Sequence, residues 1–345
     1  MFSPRAYSQL LKARMLELAR EPEVVFWVFF FPVLLAVALG IAFREKPAEQ
    51  VFVAVIEGPE AATVAAALNE APPLKADVIP PDAAARQFRL GKVALVIVPG
   101  ETFTYRFDPG RPDGQLAVSL VDQALQRAAG RADVITSRQE PVTEPGSRYI
   151  DFLIPGLIGM NLMSGGMWGI GFALVDMRVR KLLKRLIATP MRRSDFLLAL
   201  LSSRLILMLV EVVLLLSVGW LMFGMVIRGS WLAIIAVGVA GSLCFAGIGL
   251  LTASRARKIE TVSGLMNLVM LPMFVLSGIF FSADRFPEFL QPFIRVLPLT
   301  ALNDALRAVI LEGAGLDAQL LRLTIMALWG GVSFLLAVRL FRWVS

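Results

Sequence analysis

Arg204 and Glu211 stand seven positions apart inside an otherwise apolar stretch, residues 196–227. Two helical turns separate them, so a helix would place both on one face. An ionisable group at membrane depth is expensive, and its chemistry would be proton binding or ion pairing. Glu211 can therefore be read as a proton site. It can also be read as a structural group, neutral or paired with another helix, with Arg204 snorkelling inward. Asn161 and Ser164 in one apolar stretch, and Asn267 in another, are milder cases that either line a path or bond a neighbouring helix. Other chemistry is thin. The chain has no histidine and one cysteine, Cys244, which argues against a zinc site and against imidazole acid–base work. Asp284 with Glu288, and Asp108 with Asp113, are carboxylate pairs lacking a nucleophile or metal ligands nearby. They read as solvated loop residues, so no catalytic residue and no metal site is assigned.

The elements that must position these groups are membrane spans. Of 345 residues, 57% are hydrophobic, and apolar runs of about 20 residues, enough to cross the hydrocarbon core, recur. They cover residues 24–43, 152–175, 196–227, 231–253, 261–281 and 323–340. The first run is too long for a signal-peptide core and lacks a small-residue cleavage site. Residues 1–23 precede it as an amphipathic helix suited to a membrane surface, with Tyr7, Leu11, Met15 and Leu18 at helical spacing. Residues 44–149 are different material, with balanced charge and short apolar runs. Strands are expected at 51–56, 74–79, 93–98 and 102–107, and helices at 59–69, 81–90 and 115–127. That alternation predicts a small α/β domain inserted between spans. Residues 282–319 are broken by Pro287, Pro292 and Pro298, and fit a re-entrant or interfacial hairpin rather than a span. The expected fold is an all-α polytopic membrane protein of six transmembrane helices, with an inserted α/β extracytoplasmic domain. Residues 150–345 form its five-helix part.

Charge sets the expected orientation. The net charge is +7, but the excess sits in short loops between spans, which argues against nucleic acid. Residues 1–23, 176–195, 254–260 and the tail after 340 together carry fifteen Lys and Arg. The positive-inside rule then places both termini in the cytoplasm and the α/β domain outside. The richest of these segments reads DMRVRKLLKRLIATPMRRSD. Leu182, Leu183, Leu186 and Ile187 form an apolar stripe edged by Arg178, Arg180, Lys181, Lys184 and Arg185. Thr189-Pro190 ends the helix, because a residue before proline leaves the α region. Such a helix either anchors to anionic lipid or docks a partner.

Two longer stretches add a resemblance. YIDFLIPGLIGMNLMSGGMWGIGFALVDMRVRKLLKRLIATP resembles the second span and coupling helix of type-2 ABC transporter permeases. LPMFVLSGIFFSADRFPEFLQPFIRVLPLTALNDALRAVILEG resembles their fifth span and outer re-entrant hairpin, and LLKARMLELAREPEVVFWVFFFPVLLAVALGIAF their connecting helix and first span. The likeness covers nearly the whole chain. It departs where Lys181 stands, a position often held by glycine in that family, and at Asp176-Met177. It implies a permease that dimerises with a second copy or paralogue in a bacterial inner membrane. A separate ATPase subunit would dock on the coupling helix, residues 176–190, including Thr189 and Pro190. This chain has no G-x-x-x-x-G-K-[ST] loop, so ATP and Mg would be held by that partner and no cofactor by this chain. The cargo would be hydrophobic or amphipathic: a drug, lipid or glycolipid-like molecule moved outward. Phe280, Phe281 and Phe289 would form an outer gate beside the hairpin. Two rivals stay open: a proton-coupled secondary transporter using Glu211, and a membrane-anchored ligand sensor.

Overall fold

The computed structural model describes residues 4–43, 50–100, 102–131, 148–187 and 193–340. The chain divides into two compact units, Met1–Arg44 with Thr143–Ser345, and Glu45–Val142.

The first unit is helical. Six helices are long and apolar enough to cross a membrane: Pro22–Ala42, Tyr149–Val179, Ser194–Phe223, Trp231–Ala253, Ile259–Leu276 and Asp317–Leu340. The second and fourth spans are each 67% buried and the other four 17–33%, so these two form the centre. Their sequences explain why. A Cβ on Gly249 would lie 2.5 Å from Gly166 O, and one on Gly171 would lie 2.4 Å from Gly249 O. Backbone therefore packs directly on backbone, which only glycine permits. The same device brings the sixth span against the fourth, where a Cβ on Gly330 would meet Cys244 Cα at 2.8 Å. The core around this centre includes Leu157, Met163, Phe245, Met266 and Met326.

Two spans carry π-helical turns, Phe26–Phe30 and Met167–Phe172. The first precedes Pro32, which has no N–H to give the carbonyl four residues earlier. The N-terminal helix, Pro4–Arg20, has no buried residue along its length. It is tied to the third span where Tyr7 Oη donates to Ser202 Oγ at 2.8 Å.

Residues 282–316 form no span, and 317–319 open the sixth. The former make 3-10 turns Ala283–Arg285 and Glu288–Leu290, then helices Gln291–Val296 and Pro298–Arg307. The prolines start these elements rather than merely interrupting one: Pro287 caps the second turn, and Pro292 and Pro298 sit in first turns, where the missing N–H costs nothing. The last helix is sunk into the unit, with Leu299, Leu302, Asn303, Ala305 and Leu306 fully buried.

The second unit is α/β. Its strands are β1 (Val51–Ile56), β2 (Leu74–Ile79), β3 (Leu95–Val98) and β4 (Thr104–Arg106), in the order β2-β1-β3-β4. β1 runs parallel to β2 and β3, and β4 antiparallel to β3. Alternation splits the two faces. Val53, Val55, Leu95 and Ile97 pack with helices Ala61–Asn69 and Pro112–Ala128, whereas Ala54 and Val96 pack with Ala84 of Pro81–Arg89. Asn69 holds the backbone of the edge strand β2, donating to Ala76 O at 3.0 Å and accepting from Ala76 N at 2.8 Å.

Candidate functional site

The basic segment does not form one helix over 176–190. The second span runs on through Val179, the chain breaks at Lys181, and a short helix follows, Leu182–Ile187. Lys181 has φ 59, in the left-handed region that glycine adopts without strain. The departure from glycine noted at this position thus falls on the corner itself.

The corner sorts the predicted docking residues. Arg178 belongs to the last turn of the span and is buried. Its Nη1 donates to Ala253 O at 3.0 Å and Ala256 O at 2.6 Å. It braces the end of the fourth span instead of facing outward, which corrects its place in the exposed cationic set. Arg180 is exposed and pairs with Asp176 at 2.9 Å across one turn, a solvated contact of small energy. Leu183 also turns inward, 2% exposed, against Leu174, Phe196 and Leu200. One leucine of the stripe is therefore an internal anchor. Lys181, Leu182, Lys184 and Arg185 remain exposed. The Leu186 side chain, Thr189 and Pro190 lie outside the described parts of the structure.

The candidate path residues are not one constellation. Glu211 and Arg204 form a fork on one helix, with Nη1–Oε1 at 2.6 Å and Nη2–Oε2 at 2.9 Å. Both are buried, and Arg204 Nη2 also donates to Asn161 O at 3.0 Å. Gly165 makes the room, since a Cβ there would lie 1.8 Å from the guanidinium carbon. Asn161 Nδ2 in turn reaches Val28 O at 3.5 Å. That carbonyl lies four residues before Pro32 and so lacks its usual helical donor. Asn161, Arg204 and Glu211 thus bind spans one, two and three together. Both oxygens of Glu211 are occupied inside the chain. Ser164 is half-buried one turn beyond Asn161, and Asn267 is exposed on the fifth span, apart from the rest. An apolar cavity of about 500 Å³ lies between spans three, four and six, lined by Leu200, Cys244, Gly247, Met326 and Phe334. It contains none of the four candidate path residues.

At the other end of the spans, Phe280 is half-buried against the core, while Phe281 and Phe289 are exposed. Phe281 packs against Phe286 with the rings tilted, 5.8 Å between their centres. Two residues that the sequence reading passed over lie beneath them. Asn303 and Arg307 are spaced i and i+4 on the buried helix Pro298–Arg307, and both bond the end of the fifth span. Their signal was available: a polar pair at helical spacing in LTALNDALRAV.

A family model described as "ABC-2 family transporter protein" matches residues 22–339. A protein named ABC transporter G family member 20, from Dictyostelium discoideum, is 29% identical over 205 residues. That match covers 59% of this chain and 28% of the relative, so the chain spans under a third of the relative's length.

Proposed function

The chain belongs to the ABC-2 family of transporter proteins, and on that premise we propose that it is the permease half of an ATP-driven exporter. It is a membrane component with six candidate spans, and the family normally works with an ATPase subunit. The proposed partner binds ATP and Mg and docks on the exposed face of Leu182–Ile187. The proposed assembly contains a second permease copy or paralogue, with both termini in the cytoplasm of a bacterial inner membrane and the α/β unit outside. The proposed cargo is hydrophobic or amphipathic and moves outward.

The observation that carries this reading is the short helix. Leu183 packs it against the spans, and just before the corner Arg178 ties the second span to the end of the fourth, while Lys184 and Arg185 are exposed. An element anchored on one side and cationic on the other can transmit a push from a partner to the second and fourth spans. A lipid anchor would need no such brace to the Ala253 and Ala256 carbonyls. The engaged carboxylate of Glu211 also weakens the case for a proton carrier.

The test is charge reversal on the exposed side. Lys184→Glu with Arg185→Glu should lower the amount of ATPase subunit retained on the purified chain by about tenfold or more, since like-charge contacts cost several kcal/mol. Chain abundance in the membrane should not change, because neither side chain packs internally. Full retention of the subunit by this variant would end the docking assignment.

A further inference from the structure

The helix of the fifth span stops at Leu276, and its last carbonyls need partners the helix cannot supply. Gly278 then turns the chain at φ 68. Asn303, wholly buried, donates Nδ2 to Ser277 O at 2.9 Å. Arg307, one turn further along the same helix, donates Nη2 to Gly278 O. The same guanidinium lies 3.6 Å from the centre of the Phe152 ring and reaches Phe152 O at 3.4 Å. Gly156 leaves space here, since a Cβ there would lie 2.6 Å from Ile279 O and 3.2 Å from Arg307 Nη2. Phe152 is in the first turn of the second span, at the end remote from Leu182–Ile187. One arginine thus caps the fifth span and stacks on the second.

We infer that Asn303 and Arg307 are positioning residues for transport: they fasten the fifth span to the second at this end, and the end opens by releasing them. The inference rests on the permease reading. A planar guanidinium can cap a carbonyl and lie on an aromatic face at once, whereas an ammonium cannot. The contact is polar and set among apolar groups, so it holds while closed yet can exchange its partners for water on opening. Packing of Phe281 or Phe289 alone offers no such exchange, because both already stand exposed.

The experiment reads access to Ser277, which is 1% exposed. Ser277→Cys is nearly isosteric and is placed in the full chain with Cys244→Ala. Ser242→Cys, in the fourth span and equally buried, serves as the control. A water-soluble maleimide is applied to open membrane fragments. Arg307→Gln should speed labelling at 277 about tenfold or more, as expected for losing charged hydrogen bonds, and leave 242 unchanged. Arg307→Lys should behave like Arg307→Gln. With Arg307 intact and the ATPase subunit bound, ATP should also speed labelling at 277. No acceleration at 277 in the glutamine variant, or equal acceleration at both positions, would overturn the clamp. Transport by the assembly without any ATP-driven rise at 277 would overturn the release step. The glutamine arm needs no ATP, so an absence of transport would count against the permease reading while the labelling rates still decide the clamp.

Discussion

Replacing Arg204 by methionine should destabilise the chain by about 3–5 kcal/mol, the cost of breaking a buried ion pair from one side. The loss would come from Glu211, which keeps its buried position and loses both bonds of the fork. Asn161 O would lose a donor as well. Replacing both residues by methionine should cost far less, because no orphaned charge remains. Unfolding in detergent, run as a double-mutant cycle, measures this directly. A strong positive coupling between the two sites is the expected result. A further variant, Glu211→Gln, addresses the proton-carrier alternative. If Glu211→Gln keeps full stability but abolishes transport, the carboxylate is a working group and its structural assignment is wrong.

The second large effect is expected at Gly249. Its missing side chain lets the fourth span touch the second, with Gly166 O and Met167 Cα at 2.5 and 3.1 Å from where a Cβ would stand. Those obstacles are backbone atoms, which cannot rotate away. Gly249→Ala should therefore cost about 1–3 kcal/mol, the usual range for overpacking. Gly249→Val should abolish accumulation of folded protein. Gly264→Ala is the control: nothing lies within 4 Å of a Cβ there, so it should not destabilise and should gain up to about 1 kcal/mol from helix propensity. Thermal unfolding of the two purified alanine variants, with the amount of folded Gly249→Val recovered from membranes, checks the order. A Gly249→Val chain as stable as the parent would show that the two central spans do not meet through glycine.

Much of this architecture was legible because its signals are local. A span announces itself by an apolar run of the right length, and the strands of the inserted unit by short apolar runs between turns. What stayed hidden depends on partners distant in sequence. Nothing in the basic segment distinguishes Arg178 from Arg180, yet one is buried under the fourth span and the other is solvated. The difference comes from the corner at Lys181, which turns the two cations apart. Glu211 and Arg204 were rightly placed on one face, but the third participant, the Asn161 carbonyl, cannot be read from periodicity. Asn161 itself was read as a choice between path and packing. Its contact follows from a proline in another span, which frees the carbonyl it approaches.

In the proposed assembly, this membrane component works through a separate ATP-hydrolysing subunit. The most direct measurement is to purify the full chain in mild detergent from the membranes of its own cells and assay ATP hydrolysis. The co-purified proteins are sequenced in the same experiment. ATP hydrolysis is expected to accompany the chain, and the co-purified subunit to carry the G-x-x-x-x-G-K-[ST] loop this chain lacks. A chain that purifies without ATPase activity, yet moves cargo in vesicles on a proton gradient alone, would contradict it.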